Sequence, residues 1–250
     1  MPFLDHLEEL RGRIIWSLAS LLVGAGVGFF LVTHYGVLGL LIDPIRPFLE
    51  DGKLAYLSPT EPFFITLKLA VIVGVLLAAP IVLYHVWAFV APALLPHERR
   101  AIVPAFYLGL VLFAAGVLVG YFAALPVTLK FMLSFQTESL RQNITIGPYL
   151  GFIIKMLLAF GLVFEMPVVV LILAMIGVVD SKMLAAKRRH AIVINLIVAS
   201  LITPGDLIVL TLFLMVPLVL LYELSIGLAR MVERRRERST TESTEWAEAP

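Results

Sequence analysis

The stretch Ala159-Phe-Gly-Leu-Val-Phe-Glu-Met-Pro-Val-Val-Val170 decides the class of this protein, because it is apolar except for a single carboxylate. It lies within a longer run, between Lys155 and Asp180, in which Glu165 is the only charged residue. A helix needs about 20 apolar residues to cross the hydrocarbon core of a bilayer, which is roughly 30 Å thick. The run therefore predicts a transmembrane helix that carries one acid.

The composition extends this prediction to the whole chain. Of the 250 residues, 60% are hydrophobic and 15% are charged, and the mean hydropathy is +0.99. Soluble domains are nearer half apolar and a quarter charged. Apolar runs long enough to span a bilayer recur, whereas the alternating strands of an outer-membrane barrel do not. The absence of cysteine excludes disulfides, thiolate nucleophiles and Cys-based metal sites. We predict an all-α polytopic membrane protein.

Residues 1–230 are expected to form a single transmembrane domain with six spans. The spans are predicted at residues 14–33, 63–90, 104–129, 148–176, 188–203 and 207–228. Val37–Ile42 is expected as a short interfacial helix, and Pro80 is expected to kink the second span. Residues 231–250, which are charged and Ser/Thr-rich, are expected to be a disordered cytoplasmic tail.

The fifth span is unusual, because its apolar part from Ala191 to Thr203 has only 13 residues. As a helix this part covers about 20 Å, which is less than the thickness of a bilayer core. It must use flanking residues or lie where the membrane is thinned. A re-entrant hairpin is the alternative. The placement of Lys and Arg favours six spans with both termini cytoplasmic, because most of the 19 basic residues then lie inside.

The N-terminal segment His6-Leu-Glu-Glu-Leu-Arg-Gly-Arg13 is amphipathic and leads directly into the first span. From spacing alone, the favoured interpretation is a surface helix in which Glu9 pairs with Arg13 one turn later. In the alternative interpretation, Glu9 and Glu98, the latter in His97-Glu-Arg-Arg100, form an acidic spot on a basic surface. Such a spot is suited to binding guanidinium groups through bidentate hydrogen bonds.

A carboxylate in the middle of a membrane, such as Glu165, is costly and therefore indicates a function. One alternative is a neutral acid that is hydrogen-bonded to a polar partner. The other is a residue that lines a water-filled or lipid-facing concavity. Pro167 cannot donate to the carbonyl of Val163, so that oxygen lies beside the acid without its usual donor.

No catalytic set, metal-binding spacing or phosphate-binding loop is apparent in the sequence. The five histidines are scattered near the ends of the spans. We therefore expect no enzyme activity, no cofactor, no metal site and no nucleic-acid partner. A proton-coupled transporter of a small solute, with Glu165 as its protonation site, is the alternative function. Neither an internal repeat nor paired broken helices support it.

Four motifs resemble the TatC family, the multispanning subunit of the twin-arginine protein translocase, and the resemblance runs to about Arg230. They are His6-Leu-Glu-Glu-Leu-Arg11, Leu83-Tyr-His-Val-Trp-Ala-Phe-Val-Ala-Pro-Ala-Leu94 with His97-Glu-Arg-Arg100, Phe160-Gly-Leu-Val-Phe-Glu-Met-Pro167, and Thr203-Pro-Gly-Asp206. The last departs from the family's usual Thr-Pro-Pro-Asp, which weakens a role for Asp206.

This resemblance implies a curved, glove-like arrangement of six helices with short fifth and sixth spans, in the plasma (inner) membrane. It implies a core receptor that binds twin-arginine signal peptides of folded proteins and starts their export, driven by the proton-motive force. The implied partners are TatA- and TatB-type single-span subunits, membrane lipids and further copies of the chain.

The resemblance also implies roles for individual residues. Those expected to bind the twin-arginine signal peptide are Glu9, Glu98, Arg11 and Phe89. Glu165 is expected to face the intramembrane groove and to contact a partner helix, or to hold water and thin the local bilayer. Pro44 and Asp206 are expected to act on the external face.

Overall fold

The computed structural model describes residues 3–49, 52–91, 102–134, 143–202 and 208–248, and it is helical nearly throughout. The helices are α1 (Phe3–His34), α2 (Val37–Ile42), α3 (Glu61–Val90), α4 (Ile102–Val119), α5 (Leu125–Leu133), α6 (Ile146–Phe164), α7 (Met166–Met175), α8 (Ser181–Ala186), α9 (Arg188–Ile202) and α10 (Ile208–Glu248). Within these described ranges there is one isolated β-bridge and no strand. The all-α fold class and the short helix at Val37–Ile42 are confirmed.

Five helical segments of the described chain are long and apolar enough to cross a membrane. They are His6–His34, Glu61–Val90, Val103–Leu133, Ile146–Met175 and Thr211–Arg234. The predicted fifth span corresponds to α9, whose 15 residues cover about 22 Å. α9 is therefore short, as predicted. The predicted sixth span falls in α10, a helix of 41 residues whose apolar segment is Thr211–Arg234.

The third and fourth spans are each interrupted just before a proline. A π-helical turn at Gly120–Ala124 joins α4 to α5, and Pro126 follows it. Between α6 and α7, Glu165 is the N-cap and Pro167 follows in the first turn. Proline lacks the N–H that would bond the carbonyl four residues earlier, and its ring clashes with that carbonyl. Both interruptions are thus explained by local sequence.

Residues 231–250 are predicted to be disordered, and in the structure α10 continues into this range as a helix through Glu248. Glu233 lies in this extension, and its carboxylate accepts hydrogen bonds from the backbone N–H and the hydroxyl of Ser181, both at 2.5 Å. Adding residues to an existing helix avoids the costly nucleation step, and Glu and Arg are good helix formers. The charged composition of this segment is therefore compatible with a continued helix.

The chain forms two compact units, Met1–Phe89 with Phe113–Gly161 (unit 1), and Val90–Leu112 with Leu162–Pro250 (unit 2). In unit 1, α1 and α3 approach closely where both carry small residues. A Cβ atom added at Gly24 would lie 2.6 Å from the carbonyl oxygen of Gly74, and one at Gly28 would overlap the carbonyl oxygen of Ala70. Small residues four apart on each helix therefore allow the two backbones to touch.

Polar contacts in unit 1 join the two long connections that follow α1 and α5. The backbone N–H of Ala55 donates to the carbonyl of Ile144 at 3.1 Å, and the N–H of Ile146 donates to the carbonyl of Ala55 at 2.8 Å. The hydroxyl groups of Tyr121 and Tyr149 donate to the carbonyls of α2, at 2.6 and 2.8 Å. These bonds keep the two connections together at one end of unit 1.

In unit 2, helices α7, α8 and α9 pack against α10. The buried hydroxyl of Tyr222 donates to the carbonyl of Leu184 at 2.8 Å, which fixes α8 on α10. Arg188 donates to both carboxylate oxygens of Glu223, at 2.7 and 2.9 Å, and so ties the start of α9 to α10. The buried residues between these helices are Ala174, Leu184, Ala191, Tyr222, Ile226 and Ala229.

The contact between α1 and α3 generates a stability prediction. We expect Gly28→Val to lower the stability of the protein by about 2 kcal/mol, because the added atoms overlap backbone that cannot move aside as a side chain can. Gly26→Val is the matched control, since nothing lies within 4 Å of a Cβ at Gly26. Thermal unfolding of both variants in the same detergent measures the difference. Equal midpoints for the two variants would contradict the close packing.

Candidate functional site

Glu9 lies in the first turns of α1, and its carboxylate already has two neighbours. Arg13 donates to Oε1 from its Nη2 atom, and the Nδ1 atom of His6 lies 3.6 Å from Oε2. The side chains of Glu9 and Arg13 are 28% and 22% exposed. The pairing of Glu9 with Arg13 predicted from spacing is confirmed, and the carboxylate remains within reach of solvent.

His6 also links Glu9 to the distant residue Phe89. The rings of His6 and Phe89 stack with their centroids 4.4 Å apart and their planes 15° apart. Phe89 lies near the C-terminal end of α3, where the nearby Trp87 is almost completely buried. The stack therefore brings the first turns of α1 and the last turn of α3 together within unit 1, and with them Glu9 and Phe89.

The remaining predicted site residues differ in how far the structure describes them. Arg11 is exposed on α1, between Glu9 and Arg13 in sequence. Glu98 and Asp206 lie outside the described residues. Pro44 is half-buried in the turn after α2, next to the fully buried Ile45 and an ion pair in which Arg46 lies 3.1 Å from Asp43.

Glu165 lies between α6 and α7, and its side chain packs against α4 within unit 2. The residue is only 9% exposed. A Cβ atom added at Gly109 would lie 3.1 Å from Oε2 of Glu165, so the carboxylate fits against α4 because Gly109 has no side chain. Among the described residues, the buried Oε1 atom has no hydrogen-bond partner. Glu165 is thus covered by the chain itself and retains an unused acceptor.

Sequence reasoning missed His6 and Gly109. His6 lies near a span end like the other histidines, and its position three residues before Glu9 is the signal that indicates a contact. Gly109 carried no signal, because nothing in the sequence indicates which glycine meets the carboxylate. The glycine tolerates this approach only because a Cβ is absent, as the distance to Oε2 shows.

The contact between Gly109 and Glu165 can be tested with a double-mutant cycle. We expect Gly109→Val to destabilise the protein by about 2 kcal/mol, because its methyl groups compete with the carboxylate for the same space. In a Glu165→Ala background the same change should cost clearly less. Gly227→Val is the control, because a Cβ there meets nothing within 4 Å. A cost that is the same in both backgrounds would contradict the contact.

Comparisons with known proteins agree on one family. The family model described as TatC, Sec-independent protein translocase protein, matches residues 5–217. A Sec-independent protein translocase protein TatC of Aquifex aeolicus (strain VF5) is 39% identical over 240 residues, which cover 95% of this chain and 98% of that protein. One from Carboxydothermus hydrogenoformans is 36% identical over 233 residues, covering 93% of this chain and 94% of that protein.

Solved structures give the same result for the fold. A crystal structure of the twin arginine translocase receptor TatC in DDM superimposes with a TM-score of 0.80 at 38% identity, covering 90% of this chain and 99% of that chain. With matches of this extent in both sequence and structure, the chain belongs to the TatC family.

Proposed function

We propose that this chain is the receptor subunit that binds twin-arginine signal peptides of folded proteins and starts their export, driven by the proton-motive force. The observation that carries the proposal is the pairing of an acid and an aromatic ring, Glu9 and Phe89, through His6. The solved relatives are described as the twin arginine translocase receptor, which supports the same role here.

Family membership itself makes the chain a multi-pass membrane protein and a component of the twin-arginine translocase. We propose the plasma (inner) membrane as its location, with both termini cytoplasmic. The distribution of Lys and Arg supports this orientation, because it assigns the two long connections to the outside. The hydrogen bonds of Ala55 with Ile144 and Ile146 support placing these two connections on the same side of the membrane.

Arginine suits this site better than lysine. A guanidinium presents a planar fork that matches the two oxygens of the Glu9 carboxylate, and it stacks on an aromatic face such as that of Phe89. Pairs at a solvent-exposed surface are screened and contribute modestly. The apolar segment of the signal peptide must therefore add contacts along the spans. Glu98 is the second proposed acid, and Arg11 is the proposed basic member of the region.

The remaining proposals concern partners. TatA- and TatB-type single-span subunits, membrane lipids and further copies of the chain are the proposed partners in the membrane. Glu165 is proposed to contact a partner helix, or to hold water and thin the local bilayer. Its Oε1 atom has no hydrogen-bond partner in the described chain, although the residue is only 9% exposed. Pro44 and Asp206 are proposed to act on the external face. Membership of a protein-translocase family argues against the small-solute transporter alternative.

The receptor proposal is tested at Glu9 and Glu98. We expect Glu9→Ala and Glu98→Ala each to weaken binding of a twin-arginine signal peptide by about tenfold, because each removes a charge-assisted hydrogen-bond acceptor. Glu8→Ala is the control, since Glu8 is an exposed acid next to Glu9 on α1. Binding of a fluorescent signal peptide to purified protein gives the affinity, and export of a folded reporter gives the activity. Unchanged binding and export in both variants would refute the assignment.

The role of Glu165 is tested with a graded set of substitutions. We expect Glu165→Gln to retain most export, because the amide keeps a polar oxygen at the position of the unpartnered Oε1 atom. Glu165→Leu should abolish most export while the protein remains folded, because the polar contact is lost. Export of the reporter, normalised to the amount of folded protein, measures both. If Gln is inactive and Asp restores export, the charge rather than the hydrogen bond is required.

A further inference from the structure

The carboxylate proposed to receive a signal-peptide arginine is already occupied by an arginine of the same helix. Arg13 donates from Nη2 to the Oε1 atom of Glu9. The Oε2 atom has His6 at 3.6 Å, a distance beyond that of a normal hydrogen bond. An incoming guanidinium that uses both carboxylate oxygens therefore meets Arg13 at one of them.

The bond that Arg13 makes is incomplete. It uses one nitrogen on one oxygen, and in the described part of the chain the buried Nε atom of Arg13 has no hydrogen-bond partner. A guanidinium that approaches from outside the helix is free to align both of its parallel N–H groups with the carboxylate, which is the stronger, bidentate arrangement. The geometry of α1 thus holds Arg13 in a weaker version of the contact that a ligand would make.

We propose that Arg13 is an intramolecular competitor for Glu9, which must be displaced before a signal-peptide arginine binds there. This inference rests on the proposed receptor function and adds a residue that sets the affinity of the site. The long side chain of Arg13 has an alternative once it is displaced, because its stem can extend along the helix and place the charge at the lipid headgroups.

Competition by Arg13 lowers the apparent affinity of the site for the signal peptide. When only part of the population has a free carboxylate, the apparent dissociation constant rises by the inverse of that fraction. Ion pairs four residues apart on a helix are weak, so the competitor lowers the affinity by about threefold and does not block the site. Every ligand that must displace Arg13 is affected by the same factor. The preference for arginine over lysine therefore depends on the Glu9 carboxylate and the Phe89 ring, and not on Arg13.

The experiment measures the binding of two labelled peptides to the purified full-length protein in detergent. One peptide carries the twin arginines of a signal sequence, and the other carries two lysines in their place. The variants are Arg13→Gln and Arg13→Met, which both remove the competing charge, so that a folding defect in one does not remove the test. Each is also made in a Glu9→Gln background. Arg189→Gln is the control for charge, because Arg189 is an exposed arginine of unit 2.

We expect both Arg13 variants to bind the twin-arginine peptide about threefold more tightly, with the ratio between the two peptides unchanged. The gain should disappear in the Glu9→Gln background, where there is no carboxylate to compete for. A gain that persists there indicates simple removal of repulsion between positive charges and overturns the proposal. Unchanged or weaker binding by both Arg13 variants also overturns it. If Glu9→Gln alone binds like the parent, the receptor assignment of Glu9 fails instead.

Discussion

A bilayer core offers no hydrogen-bond partners to a polypeptide backbone, so each N–H and C=O group that crosses it must be satisfied within the protein. This constraint explains how the fourth span accommodates Pro167. The N–H of Glu165 donates to the carbonyl of Leu162 at 3.1 Å, which tightens the last turn of α6. The carbonyl of Glu165 then accepts bonds from Val168 and Val169, both at 3.0 Å, as α7 begins. Backbone groups at the interruption therefore form hydrogen bonds locally, and the Glu165 carboxylate lies against α4.

The same environment determines which residues bring helices together. Lipid tails are as apolar as leucine side chains, so helix association depends on close van der Waals packing and on polar contacts. In unit 1 this packing is made by Gly24 and Gly28 against Ala70 and Gly74. In unit 2 the absence of a side chain at Gly109 allows the Glu165 carboxylate to pack against the backbone of α4. Small residues thus create both the tight helix crossing and the space for a buried acid.

The features that could be predicted from sequence are those encoded within one helical segment. Hydrophobic run lengths predicted long apolar helices and the short α9, and the four-residue spacing predicted the pair between Glu9 and Arg13. The contacts that could not be predicted join residues far apart in the chain. The stack of His6 on Phe89 and the approach of Gly28 to Ala70 depend on which helix faces meet, and helical periodicity identifies a face but not its partner. The continuation of α10 to Glu248 likewise depends on the helix that precedes it, which the composition of the segment alone does not indicate.

The ion pair of Glu9 with Arg13 bears on how the proposed receptor releases its ligand. Glu9 and Arg13 are both reachable by solvent, so salt and water weaken their bond as they weaken a bond to a ligand. Differences in affinity among related complexes lie mostly in the dissociation rate. On the proposal above, Arg13 lies one helical turn from Glu9 and rebinds its carboxylate when the ligand's guanidinium loses one of its two hydrogen bonds. Arg13 thereby shortens the lifetime of the complex. Under the proposed receptor function, a modest affinity built on several weak contacts allows the signal peptide to be released.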